Sequence, residues 1–384
     1  MTDHDNQAGQ GTGGEHRRVS GAEGSASDLR PARQRRLRWV AVGSAIVIAG
    51  VIGGLIGATL NTPGSSAASS SSPAVSACAV TQVADQVLPS VVKITATGAD
   101  GSGTGSGEVI RSDGYILTNN HVISIAASGG SVEVMFSDGT TAAATITGRD
   151  PQTDLAVLKV QPSPKLKVIQ IGSSASVQVG QPVVALGAPL GLAGTVTSGI
   201  VSALGRTVQV PADNDSLALL TSAVQTDAAI NPGNSGGALV NCAGQLVGVP
   251  TAGAVVPGAA GGSIGLGFAI PVDFAKSIAN EIISTGTVTH AYFGLQTVPI
   301  PPAAAAQAGV PEGLFVTAVQ PGGPAAQAGL RPEDVITSID GQPATSNTQL
   351  AELTLTKRAG DQVSVSYERA GHSAQATITL AAQP

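Results

Sequence analysis

A chain of 384 residues with 42% hydrophobic, 2% aromatic and 11% charged residues has room for about two domains plus extra segments, and any core must be built from small branched side chains, which favours sheet over long helix. The formal net charge of −6, with basic residues gathered only near the N-terminus, excludes a nucleic-acid-binding face. Two cysteines, Cys78 and Cys242, are too few for a disulfide scaffold and lack zinc-site spacing; the chemistry read below requires no metal or cofactor.

Residues 1–38 open with a Gly-, Ser- and Asp-rich stretch that cannot bury enough apolar surface to fold, a disordered tail. Arg30, Arg33, Arg35, Arg36 and Arg38 then lead into Trp39 and an uncharged apolar run from Val40 to Leu60. Such a run spans roughly 30 Å as a helix, the thickness of bilayer hydrocarbon. The span 39–60 therefore reads as one transmembrane helix. The arginine cluster puts the N-terminus in the cytoplasm and everything after residue 60 outside. A cleaved signal peptide is the rival, but the run is longer than a signal core and begins almost forty residues in. Residues 61–77, mostly Ser, Ala and Pro, read as a flexible linker.

The folded part begins near Cys78. Outside the membrane Cys78 and Cys242 sit in an oxidising compartment, where they form either a persistent bridge or two unpaired thiols. Between 78 and 286 the pattern is short apolar or alternating runs, such as Val91–Ile94, Tyr115–Leu117, Leu155–Leu158 and Val183–Leu186, punctuated by Ser-Asp-Gly turns at 112–114 and 137–139. That spacing predicts an antiparallel barrel or sandwich. A helix closes it over Pro271 to Thr285, stopped by Gly286. The run Gly101–Gly107 superficially resembles a phosphate loop but lacks the lysine and the helix start, and reads as a mobile loop. Residues 287–384 restart a strand pattern with helix signals at 323–329 and 346–356, which makes them a separate small domain.

The chemistry centres on Asn231-Pro232-Gly233-Asn234-Ser235-Gly236-Gly237. A serine between glycines, in a tight turn between apolar strands, exposes backbone N–H groups to a substrate carbonyl. An oxyanion hole over Gly233, Asn234 and Ser235 is the consequence, with Gly233 and Ser235 as its main donors. Serine needs a base, and the base needs an orienting group. Of five histidines, His4 and His16 lie in the tail, His290 at the domain boundary and His372 in the last domain. Only His121 remains. Asp154, which opens the buried run Leu155–Leu158, is the best orienting carboxylate. Asp138 and Asp150 read as solvated turn formers, and Asp227 as a contributor to the substrate pocket. The string Gly233-x-Ser235-x-Gly237 also fits the nucleophile elbow of α/β-hydrolases, but that elbow needs a helix after the serine. Here the serine leads into a hairpin, and the order His121, Asp154, Ser235 is the chymotrypsin order.

Thr118-Asn119-Asn120-His121-Val122, Thr153-Asp154-Leu155-Ala156-Val157-Leu158 and Asp227 through Gly237 resemble the three signature blocks of the HtrA/Deg family of trypsin-like serine proteases, and Gly265–Pro271 is similar to that family's later segment. The resemblance implies a mostly β chain: a chymotrypsin-like double β-barrel protease domain, then an α+β PDZ domain, in a bacterial envelope protein that assembles as a trimer. It implies peptide C-termini bound at Tyr292-Phe293-Gly294-Leu295 by β-augmentation. Its substrates would be unfolded or misfolded envelope proteins. The alternative is an envelope chaperone with little or switched-off proteolysis. Six residues before Ser235, where a trypsin keeps its acidic pocket floor, stands Ala229. With Ile230 and Leu266 it predicts an apolar pocket for small aliphatic side chains.

Overall fold

Short strands bounded by turn residues close on themselves where one face is apolar, and this chain does so twice. The structure, a computed structural model, describes residues 78–384 apart from 164–165, 189–193, 214–215 and 254–261. The expected tail, membrane helix and linker at 1–77 lie outside the described residues. Among the described residues no helix is long and apolar enough to cross a membrane.

The first barrel is built from β1 (Val91–Gly98), β2 (Gly101–Val109), β3 (Tyr115–Thr118), β4 (Ser131–Met135), β5 (Thr141–Asp150) and β6 (Leu155–Lys159), closed in the order β1-β2-β3-β6-β5-β4. Alternation along β1 sends Val92, Ile94 and Ala96 inward, where they meet Ile116, Val134 and Leu158. The expectation of a mobile loop at Gly101–Gly107 is wrong: the run is strand β2, paired residue for residue with β1. Its glycines answer to packing. A Cβ on Gly107 would stand 2.8 Å from both Ile94 and Ile116 side chains, and one on Gly105 would meet Val122 at 2.6 Å.

The second barrel uses β7 (Gln170–Ile171), β8 (Pro182–Gly187), β9 (Thr195–Pro211), β10 (Leu217–Thr226), β11 (Ala238–Asn241), β12 (Gln245–Gly253) and β13 (Gly267–Pro271). Their order is β11-β8-β9-β10-β13-β12-β7, and a β11–β12 pairing joins the ends into a ring with β7 outside it. Helix α1 (Val80–Val87) buries Val83 and Val87 against β8 and β11. Cys78 and Cys242 form a disulfide with Cα atoms 5.2 Å apart, which ties the approach to α1 to the end of β11. The helix expected to close the domain is α3 (Val272–Thr285), α2 being the short turn Asn120–Ile123. It ends where Gly286 takes φ +81°, a left-handed conformation natural to glycine. Its inner face, Ala275, Ile278, Ala279 and Ile282, packs on Leu117, Leu155 and Val157 of the first barrel and Val249 and Ile270 of the second. Burying Ile282 alone contributes about 1.5–3 kcal/mol to holding the barrels together.

The C-terminal domain is a sheet of β15 (Leu295–Ile300), β16 (Gly313–Val319), β17 (Val335–Ile339), β19 (Gln362–Arg369) and β20 (His372–Thr379) in that order, with β18 (Gln342–Pro343) against β17. A separate two-stranded ladder pairs β14 (Ala291–Tyr292) with β21 (Ala381–Ala382). Helices α4 (Pro302–Ala308), α5 (Pro324–Gln327) and α6 (Asn347–Thr356) complete it. The Ser346 hydroxyl caps α6 by accepting from Thr348 N at 3.0 Å. The described residues therefore form a chymotrypsin-like double barrel followed by a PDZ domain. Both belong to one compact unit.

Candidate active site

Residues of both barrels come together at the candidate site. At the end of β3 the chain turns into α2 and presents His121. Across from it, at the start of β6, Asp154 is fully buried and takes φ +57°. Asp154 is thus in a conformation that non-glycine residues adopt rarely, aspartate more often than most. Its Oδ1 accepts from the His121 backbone N–H at 2.9 Å, and its Oδ2 lies 2.8 Å from His121 Nδ1. Its Oδ2 also accepts from the Thr251 hydroxyl of β12. The Asp154 backbone is pinned as well: its carbonyl accepts from Asn119 Nδ2 at 2.8 Å and Asn120 N at 3.1 Å.

Burial opposes charge on His121, but its hydrogen bond to Asp154, the Asp154 charge and the Asp213 charge outweigh burial, so its pKa lies above the ordinary imidazole value of 6.5. Asp213, at the far end of the β9–β10 hairpin, takes hydrogen bonds from Asn120 Nδ2 at 3.1 Å and Arg149 at 2.9 Å.

The serine loop comes after β10. Gly233 and Gly236 adopt φ +96° and +77°, which side chains resist. A Cβ on Gly236 would also stand 2.4 Å from the Ser106 carbonyl. Ser106, inside the glycine run of β2, is the clamp across the barrels. Its N–H donates to the Ser235 carbonyl at 2.9 Å, and its hydroxyl donates to the Gly233 carbonyl at 2.6 Å. Ser235 Oγ donates to the Thr251 carbonyl at 3.3 Å. The structure thus joins His121 to Asp154 and sets the Ser235 hydroxyl on the strand that braces that pair, without a Ser235–His121 hydrogen bond. In unliganded sites such bonds are often long and close only on substrate. Among the described residues the N–H groups of Gly233 and Ser235 donate to no acceptor, so both can face a developing oxyanion. Asn234 cannot join them: its N–H donates to the Asn231 carbonyl at 3.0 Å, closing the turn.

Two other expectations change. Ile230, read as a pocket wall, is a core residue, 4% exposed among Val224, Ala228 and Leu239 and tight against Gly267. Ala229 is half-buried and its carbonyl accepts from Thr197 and Asn234 side chains, while Leu266 is exposed. Asp150, read as a solvated turn former, is buried against His290 at 2.9 Å. Asp138 is an exposed turn former that accepts from Thr140 N at 3.0 Å, and Asp227 anchors β9 by accepting from Ile200 N at 2.7 Å. The supporting roles of Thr251, Ser106 and Asp213 have no local motif to mark them, and Asn119, which lies inside the His121 motif, supports Asp154 through its side chain. The available signal was polar residues breaking apolar strands, as in Val249-Pro250-Thr251.

Tyr292, Phe293, Gly294 and Leu295 come together in a groove of about 490 Å³ whose other walls are Gln296, the end of β16 and Leu350, Ala351 and Thr354 of α6. Strand β15 is the edge of its sheet, and the N–H groups of Phe293 and Gly294 donate to no acceptor among the described residues. Farther along that edge, Asn347 Nδ2 donates to the Thr297 carbonyl at 2.9 Å. The open stretch of edge is therefore Leu295–Gln296.

Residues 105–249 match the trypsin-like peptidase domain family and residues 291–380 the PDZ domain family. The chain is 44% identical over 312 residues to the serine protease PepD of Mycobacterium tuberculosis, covering 78% of this chain and 66% of that protein. It is 41% identical over 281 residues to the periplasmic pH-dependent serine endoprotease DegQ of Escherichia coli, covering 72% and 59% respectively. It therefore spans less than two thirds of the length of either relative. Among solved structures it is similar to the HtrA-type protease AlgW with decapeptide, at a TM-score of 0.64 and 32% identity over 79% of this chain and 99% of that one.

Proposed function

Because the chain belongs to the HtrA family of trypsin-like serine proteases that carry a PDZ domain, we propose that it is an envelope serine endopeptidase that cleaves unfolded proteins through an acyl-enzyme. The observation that carries this reading is the His121–Asp154 pair: a buried carboxylate takes Nδ1 of a partly exposed imidazole, fixes its tautomer and leaves Nε2 for a substrate-side proton.

In the proposed reaction Ser235 Oγ leaves the Thr251 carbonyl and gives its proton to His121 Nε2 as it attacks the scissile carbonyl carbon. The oxyanion is met by the N–H groups of Gly233 and Ser235. One such donor is typically worth about 10²–10³ in turnover. His121 then protonates the departing amine, the acyl group stays on Ser235, and water activated by the same histidine releases it. The Asp154 carboxylate holds the imidazolium through Nδ1 while the His121 backbone N–H and the Thr251 hydroxyl hold the carboxylate. Ala229 and Leu266 offer no charge to a side chain beside the serine, which supports a preference for small aliphatic residues over Lys or Arg.

The groove beside Leu295–Gln296 supports capture of peptide C-termini, the carboxylate meeting the N–H groups of Phe293 and Gly294 and the peptide extending the β15 edge. The apolar run 39–60 behind its arginine cluster supports a single membrane anchor with the N-terminus cytoplasmic and both domains outside. Trimeric assembly and misfolded envelope proteins as substrates are inferred from the family.

The test is hydrolysis of a reduced, unfolded protein by the full chain in detergent, with Ser235→Ala and His121→Ala as blanks. Loss of cleavage in both, with circular dichroism unchanged, is the expected result. Equal cleavage by wild type and Ser235→Ala overturns the reading. A second reading, a binding protein or chaperone, draws on the formed groove and on a Ser235 hydroxyl bonded away from His121. It predicts that Ser235→Ala still suppresses aggregation of the same substrate.

A further inference from the structure

His290, the residue just before β14, is 6% exposed, and Asp150, the last residue of β5, is 3% exposed. His290 Nε2 and Asp150 Oδ1 are 2.9 Å apart. Neither side chain can turn to water for a replacement partner. The carboxylate also organises the turn after β5: Oδ2 accepts from the Thr153 hydroxyl at 2.5 Å and Oδ1 from Gln152 N at 3.2 Å. The residue after Thr153 is Asp154, held at positive φ with its carboxylate on His121. A grip from the PDZ side therefore acts four positions before the group that orients the base.

The grip has a second contact. Gln152 Nε2 donates to Gln383 Oε1 at 3.1 Å, Gln383 N donates to the His290 carbonyl at 2.8 Å, and the Gln152 carbonyl accepts from Leu219 N of β10 at 3.0 Å. The turn is thus clasped between the β14–β21 ladder and the second barrel. A non-glycine residue stays at positive φ only where its surroundings over-determine it, and this clasp is one of the constraints on Asp154.

We propose that His290 is a positioning residue for hydrolysis: by holding Asp150 it fixes the Asp150–Thr153 turn and so the placement of the Asp154 carboxylate on His121. The proposal rests on the reading of Asp154 and His121 as orienting group and base. It also gives the segment between the two domains a task in the chemistry, separate from binding of peptides two residues farther on.

The test uses the full chain with a fluorogenic peptide substrate, comparing His290→Leu, His290→Gln and His290→Asn. Gln places a donor where Nε2 was, whereas Asn is too short to reach Asp150. The expected result is a kcat about tenfold or more below wild type for His290→Leu, since small misplacements of reacting groups are costly, with KM changed less than about twofold. The acid limb of the kcat profile should also move down toward the ordinary imidazole value, because His121 loses part of its Asp154 partner. His290→Gln should recover most of both. A folded His290→Leu with wild-type kcat, or one that loses kcat with its acid limb unmoved, overturns the proposal. Should His290→Leu not fold, the Gln and Asn variants decide, and equal activity in the two is against it. A wild-type chain no more active than Ser235→Ala removes the parent reading and this proposal with it; an active wild type beside an unaffected His290→Leu removes this proposal alone.

Discussion

Thr251→Val is the substitution that isolates one support of the Asp154 carboxylate. Thr251 is 5% exposed, its hydroxyl donates to Asp154 Oδ2, and its backbone carbonyl accepts from Ser235 Oγ. Valine keeps the shape and the carbonyl and removes only the hydroxyl, so the change falls on a fully buried carboxylate. A hydrogen bond to a charged group contributes about 1.5–3 kcal/mol. Loss of that amount lowers the thermal midpoint of a domain of about 200 residues by about 3–12 °C. In turnover the ceiling is the same energy, about 10–150-fold at 1.4 kcal/mol per factor of ten. The carboxylate keeps both contacts with Nδ1, so the expected fall in kcat lies toward the lower end of that range, with KM little changed. Differential scanning calorimetry and steady-state peptide hydrolysis measure the two effects. A variant whose midpoint and kcat both match wild type would refute the claim that Thr251 supports the carboxylate.

The raised pKa of His121 predicts that kcat/KM falls as pH drops through a value above 6.5, since only the neutral ring accepts a proton. The linked stability has the opposite sense: protonation favours the fold below the unfolded-state value, and that contribution is lost as pH rises through the folded pKa. Paired rate and melting profiles from pH 5 to 9 test both signs. Glu108 is wholly buried with neither carboxylate oxygen bonded among the described residues, and burial raises its pKa well above the usual range. A raised carboxylate pKa costs stability as pH climbs past the unfolded value, so Glu108→Leu should gain about 1–3 kcal/mol at pH 7–8 and less at pH 4–5, read by chemical denaturation. Reduction of Cys78–Cys242, or Cys78→Ser, should cost about 2–5 kcal/mol in the same assay, because the bridge spans a sequence separation of 164 residues. A peptide ending in a free carboxylate should bind the PDZ groove by isothermal titration, and the same peptide with an amidated end should bind markedly less.

Much of the architecture was legible because periodicity and turn chemistry are local. Val92, Ile94 and Ala96 alternate inward as their spacing requires, Gly286 ends α3 where expected, and Ser346 caps α6. The glycine run 101–107 was misread because composition signals freedom, whereas the cause of those glycines lies in residues brought close by the barrel: Ile94, Ile116 and Val122. The pairing of His121 with Asp154 could be anticipated from chain order and strand position. The supports of the site could not. Thr251 is 97 residues from Asp154 and Ser106 is 127 from Gly233, and one threonine or serine in an apolar strand carries no local mark of its partner. Asp150 misled for the same reason. An aspartate before proline favours a solvated turn on local grounds, and only the packing of His290, 140 residues away, buries it.

Everything proposed for the chemistry depends on Ser235 being the nucleophile and His121 its base. Mass spectrometry of the full chain after exposure to a fluorophosphonate probes both roles at once. The expected result is one covalent adduct, on Ser235, formed at a rate that rises with pH through the His121 titration and is nearly abolished in His121→Ala. An unmodified Ser235, or labelling equally fast without His121, would contradict those roles.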